Sequence, residues 1–188
     1  IKFVNQTDID SDGDGQLDAA IRQDEDEVFL GFPFPPFTFG LTNRLQYKGF
    51  NLTVFLQGVQ GNSIYNLTRT FTEGMENVFN QSVVVLDRWT PENTDTNVPR
   101  AAIGDPAGNN RDSDRFVEDG SYLRVKDVML SYDFPPSFRS RFHMRLMRVF
   151  VSGQNLLTWT NYSGFDPEVG RIDNGTYPQV RSLIFGVN

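Results

Sequence analysis

The chain has 188 residues, enough for one domain with a real core or for a piece of a larger one. It is only 38% hydrophobic yet 13% aromatic, a balance that suits strands apolar on one side. A net charge of −7 argues against a nucleic-acid partner, and zero cysteines exclude disulfides, thiol catalysis and thiolate metal sites. No apolar run reaches the roughly 18 residues of a membrane helix, but a transmembrane barrel stays open because its strands alternate sides.

Residues 1–36 read as an Asp-rich loop leading into a strand. Within DIDSDGDGQLD, the residues Asp10, Asp12, Asp14, Gln16 and Asp18 follow the spacing of a calcium loop, with Gly15 at its sharp turn. Ile21 stands where a bidentate Glu belongs, and IKFVNQTDI reads as extended rather than as an entering helix, which argues against an EF-hand sensor. Two readings stand. One is a structural Ca²⁺ or Mg²⁺ clip completed from the acidic run Asp24–Glu27; the other is an Asp/Gly turn held by side chain–backbone bonds.

The next segment, 37–61, alternates with period two on both sides of a short Lys-Gly turn and predicts an antiparallel hairpin. Phe39, Leu41, Leu52 and Val54 fall on one face; Arg44, Gln46 and Gln57 fall on the other. Each run holds about ten residues, the length of a tilted strand that crosses a bilayer core. Residues 62–120 form a long polar loop with a short helix in its first half and many turn formers in its second. Residues 121–188 predict three more strands, joined by one short basic turn and one outer loop. Val128, Leu130, Phe185 and Val187 share the apolar face, with Arg148 and Gln154 opposite. Tyr47, Tyr132, Phe134 and Trp159 stand near strand ends, where a barrel carries its aromatic girdle.

The expected fold is therefore all-β, a segment of an antiparallel transmembrane β-barrel with long extracellular loops. Five strands cannot close, since about eight is the minimum, so the chain is expected to be a fragment of a larger barrel.

Several long motifs carry a family resemblance. SYLRVKDVMLSYDFPPSF, RVFVSGQNLLTWTNYSGFDPEV and FTFGLTNRLQYKGFNLTVFLQGVQGNSIYN, with DRWTPENTDTNVPR in the long loop, resemble the C-terminal third of SusC/RagA-type TonB-dependent outer-membrane transporters. The resemblance runs in order over nearly the whole chain. It implies a barrel of about 22 strands, of which this chain supplies the last five, enclosing an N-terminal plug. It also implies energy supplied by TonB through a segment not recognisable here, and a SusD-like lipoprotein over the outer mouth. The cargo would be an oligosaccharide or peptide, imported across the outer membrane of a Bacteroidota-type envelope with the loops facing outside. FGVN at the end of the sequence stops short of the family's closing aromatic residue.

Catalysis finds little material. The single histidine, His143, sits in the basic turn without a Ser or Asp partner in its motif, so no enzyme is expected. Ligand contact or lid contact falls to the loops, with Arg88, Trp89, Asn93, Tyr162, Phe165 and Asp166 as candidates beside ordinary loop packing. The rival to an importer is a secreted or surface β-sheet binding and adhesion module with a calcium-stiffened loop. The rivals differ in what covers the apolar face: lipid for the barrel, a second layer of protein for the module.

Overall fold

The computed structural model describes residues 28–188. Most of the 1–36 segment, including the Asp10–Asp18 loop, lies outside the described residues. In chain order the elements are β1 (Phe37–Tyr47), β2 (Phe50–Gln60), β3 (Ser63–Asn66), α1 (Leu67–Glu73), β4 (Val117–Asp119), β5 (Tyr122–Asp133), α2 (Pro136–Arg139), β6 (Arg148–Thr160), β7 (Ile172–Asp173) and β8 (Ser182–Val187). Among the described residues no helix is long and apolar enough to cross a membrane. The described chain divides into two units, one of residues 28–31 with 68–116 and the other of 32–67 with 117–188.

The second unit is built on a five-stranded antiparallel sheet in the order β1-β2-β5-β6-β8. The β1–β2 connection is the two-residue turn Lys48-Gly49, with φ of 46° and 91°, both positive as a tight hairpin turn with right-handed strand twist demands. A Cβ on Gly49 would lie 2.8 Å from the Asp133 carbonyl oxygen, so only glycine lets β5 approach this closely. On the apolar face, Phe39 lies across Gly58, its register partner, where any Cβ would meet the ring.

Register decides which side chains share a face. Leu41 pairs with Leu56, Leu52 with Leu130, Val128 with Gly153, Leu130 with Val151, and Val151 with Phe185. One apolar face therefore runs unbroken across all five strands, and it is uncovered: Leu41 is 54%, Leu130 42% and Phe185 76% exposed. The opposite face is mostly polar, with Phe55, Met129, Phe150 and Ile184 set among its polar side chains, and it is held by cross-strand bonds. Asp133 accepts from Arg148 at 2.5 and 2.9 Å and from Asn51 at 2.9 Å, Ser152 bonds Asp127, and Gln57 donates to the Tyr122 hydroxyl at 3.0 Å. Arg44, Gln46, Gln57, Arg148 and Gln154 all take the polar face, as the alternation predicts.

The alternation changes phase once. Register shifts between Val125 and Asp127, with an extra residue at Lys126 in β5 and a left-handed Asn155 (φ 51°) in the matching part of β6. A bulge of this kind places two consecutive side chains on one face. That is why Leu123 and Val125 join Val128 and Leu130 on the apolar side despite the change from odd to even numbers.

The predicted 62–120 loop holds more structure than a single helix. Its ends supply β3 and β4, which form a small three-stranded sheet with β7 from the later loop, in the order β4-β3-β7. The β3–β7 pair is parallel, which local hairpin logic does not anticipate.

In the first unit, Arg69 and Arg115 both bond Glu73, and their guanidinium groups lie over the fully buried Phe116 ring at 5.9 and 5.0 Å. Asp105 closes a turn by accepting from the backbone amides of Asn109 and Asn110 at 2.8 and 2.7 Å.

Candidate functional site

Arg124 projects from β5 onto the polar face just above the bulge, and its residue is 2% exposed. A buried guanidinium needs its charge and donors matched. Arg124 donates to Asp166 at 2.5 Å, to Glu168 at 2.7 Å and to the Thr158 hydroxyl at 2.9 Å, and stands 5.4 Å from the Tyr122 ring centre. The bulge turns Lys126 to the same side, where its ammonium reaches Glu168 at 2.6 Å. Two carboxylates of the 161–181 loop are thus clamped by two cations of one strand, and the loop is folded over the polar face of the sheet.

Burial alone pushes the Asp166 carboxyl up. The Arg124 bond and the amides of Gln179 and Glu168 outweigh it and hold the group below the usual carboxylate range. The loop has further anchors. The Tyr162 hydroxyl donates to Asp173 at 2.7 Å, both residues being buried, and Asn155 donates to the Val180 carbonyl at 3.0 Å. Ser163 and Asn66 converge on Glu118.

Two cavities open beside this clamp. One of about 610 Å³ lies among Pro33, Phe34, Pro35, Tyr122, Val169 and Arg171, a largely apolar and Pro-rich wall. Into it faces Asn62, buried, with its Oδ1 unpartnered. The other, about 390 Å³, is lined by Arg124, Thr158, Phe165, Asp166 and Arg181 among others.

The sequence candidates fall into two groups. In the second unit, Phe165 is 74% exposed and lines the smaller cavity together with Asp166, while the Tyr162 and Asp166 side chains are engaged in the buried bonds above. In the first unit, Trp89 is partly exposed with its amide bonded to the Val98 carbonyl, and Arg88 donates to the Val85 carbonyl. Asn93 donates to the Asp87 carboxylate at 3.0 Å, an acceptor that Thr96 shares. Sequence reasoning missed Arg124, Lys126 and Glu168. The one signal for Arg124 and Lys126 was RVKD, a cluster of charges inside a long strand, and Glu168 had none.

Among the described residues no group of three or more His, Cys, Asp or Glu side chains is arranged to hold a metal ion.

No family model matches the chain. It is 36% identical over 192 residues to TonB-dependent receptor P3 of Formosa agariphila, covering 95% of this chain and 18% of that protein. It is 25% identical over 182 residues to TonB-dependent receptor SusC of Bacteroides thetaiotaomicron, covering 96% and 17%. The fold matches the RagAB peptide importer in its closed-closed state with a TM-score of 0.79, at 28% identity over 94% of this chain and 20% of that one. The chain belongs to the SusC/RagA-type TonB-dependent receptors. The chain is all-β apart from short helices, with an antiparallel sheet whose exposed apolar face and loop-covered opposite face fit a β-barrel segment of such a receptor. The chain spans about a fifth of the length of the relatives it matches. Those relatives are named as receptors and an importer, in keeping with the expectation of no enzyme.

Proposed function

We propose that this chain is part of a TonB-dependent outer-membrane importer of glycans or peptides that works with a SusD-like lipoprotein. Its own role is to close the barrel with its last strands and to shape the outer mouth. The observation that carries the reading is the two-faced sheet. An apolar band crosses five strands and stays exposed, while the opposite face is mostly polar and hydrogen-bonded, as lipid on one side and a watery lumen on the other require. The four long strands have 11 to 13 residues, and at a rise of about 3.3 Å and a tilt near 45° they span about 25–30 Å. An adhesion sandwich would cover the band with a second sheet and bury Leu41, Leu130 and Phe185.

The loop clamped by Arg124 and Lys126 would narrow the mouth and present Phe165 and the two cavities to cargo or lid. TonB would act through a part of the protein outside this chain. The Asp10–Asp18 loop is carried in this reading as a Ca²⁺ or Mg²⁺ clip on an outer surface. Elemental analysis of the dialysed full-length receptor should find one bound divalent ion that an Asp12→Asn/Asp14→Asn variant lacks.

The deciding experiment is gentle purification of the full-length receptor from outer membranes, with mass spectrometry of whatever co-purifies. A lipoprotein partner carrying a glycan or peptide is the expected result and names the cargo class. A receptor recovered in the soluble fraction, without such a partner, would sink the importer and promote the adhesion module.

A further inference from the structure

The two short connections at one end of the sheet have an unusual composition. Residues 134–147, between β5 and β6, contain Arg139, Arg141, His143 and Arg145 and no carboxylate, in a chain whose net charge is −7. The neighbouring β1–β2 turn adds Lys48, and the Asp133 amide donates to the Gly49 carbonyl at 2.8 Å, which holds the two turns side by side. The nearest acid, Asp133, is already taken by Arg148 and Asn51. Lys48, Arg141 and Arg145 are exposed, and none has an acidic partner among the described residues.

The apolar side chains of the same turn are also exposed. Phe142 is exposed, as are Met144 and Leu146. Phe142 closes a chain of rings that starts at the end of the apolar band: Phe50–Tyr132 at 4.7 Å, Tyr132–Phe134 at 5.1 Å, Phe134–Phe138 at 5.0 Å and Phe138–Phe142 at 5.4 Å. Aromatic rings at the edge of an apolar band belong at the level of lipid headgroups, and cations just beyond them meet the phosphates.

We infer that the 134–147 turn, together with Lys48, is a docking surface for anionic phospholipid headgroups in the leaflet at the short-turn end of the barrel. The inference rests on the membrane-barrel reading above. Continuity with the apolar band fixes the occupant as lipid, and the excess of cations without carboxylates selects its charge. Arg141, Arg145 and Lys48 supply the attraction, and Phe142 and Met144 enter the acyl boundary.

The test uses the full-length receptor in phosphatidylcholine vesicles, comparing the association of spin-labelled phosphatidylglycerol with that of spin-labelled phosphatidylcholine. The wild type should prefer phosphatidylglycerol, and rising salt should erode the preference. In Lys48→Gln/Arg141→Gln/Arg145→Gln the preference should fall by up to about fivefold for each cation removed. Equal association of the two lipids with the wild type would overturn the inference, whatever soluble partner the turn then serves. So would a preference that neither salt nor the triple variant changes. If the variant fails to insert, the salt titration of the wild type decides alone. A receptor that does not enter vesicles at all defeats the barrel reading; one that enters without lipid preference defeats only this inference.

Discussion

Replacing Arg124 with Ala tests the clamp that folds the 161–181 loop over the polar face. The side chains of Arg124 and Asp166 are 3% and 5% exposed, so removal of the guanidinium strands a carboxylate out of water. Breaking a buried pair costs about 3–5 kcal/mol. Here the low end applies, because the Asp166 carboxylate keeps the amides of Glu168 and Gln179, each at 2.9 Å. Glu168 keeps Lys126 and is partly solvated, so its share of the loss is small. About 3 kcal/mol corresponds to an opening equilibrium raised by on the order of a hundredfold. Hydrogen exchange of the full-length receptor in nanodiscs should show that loss of protection at the amides of Glu168 and Gln179, while the amides of β2 stay protected. Loop amides that do not bond Asp166, such as that of Thr176, should lose less protection in Arg124→Ala/Asp166→Asn than in Arg124→Ala alone, because the stranded charge has gone with its partner. Unchanged exchange in Arg124→Ala, or a double variant worse than the single one, would refute the clamp.

Leu130→Arg places a charge in the middle of the outward band and should cost about 2–4 kcal/mol of barrel stability, read as receptor lost from the outer-membrane fraction. Gly49→Ala forces a Cβ against the Asp133 carbonyl at positive φ and should cost on the order of 1–3 kcal/mol, measured as a lowered midpoint of denaturant unfolding. The loop's pH dependence follows from Asp166. Its folded carboxyl lies below the ordinary value of 3.8, so the contribution is complete above that value and lost as the pH falls below it through the folded value. Exchange protection of the loop should hold steady from neutral pH down to the ordinary aspartate range and decline below it. Asp166→Asn should abolish that decline; a decline centred near neutral pH would contradict the assignment.

Much of the fold was legible in the sequence because a strand's period is two. FTFGLTNRLQY and FNLTVFLQGVQ each carry one apolar and one polar row, and pairing across Lys48-Gly49 left one register that keeps the rows together. The strands of the large sheet, the hairpin and the division into two faces follow from that alternation. The β5 pattern was readable only in its lower half. Leu123 and Val125 are out of phase with Val128 and Leu130, and only pairing with β2 and β6 assigns the change to a bulge at Lys126.

The site was less legible. Phe165 stood out as a loop aromatic and is exposed in a cavity wall, but Arg124 looked like one cation among many. Its partners Asp166 and Glu168 lie 42 and 44 residues away, and no local pattern links them. The parallel pairing of β3 with β7 joins two loops that the sequence treats as separate. The amino-acid sequence by itself thus determined the strands, their two faces and the family, since these depend on periodicity and on runs of consecutive residues. Only the tertiary structure decided where the bulge falls and which carboxylates meet Arg124. Those depend on register and on loop closure over tens of residues, where the energy lies in contacts between segments rather than within them.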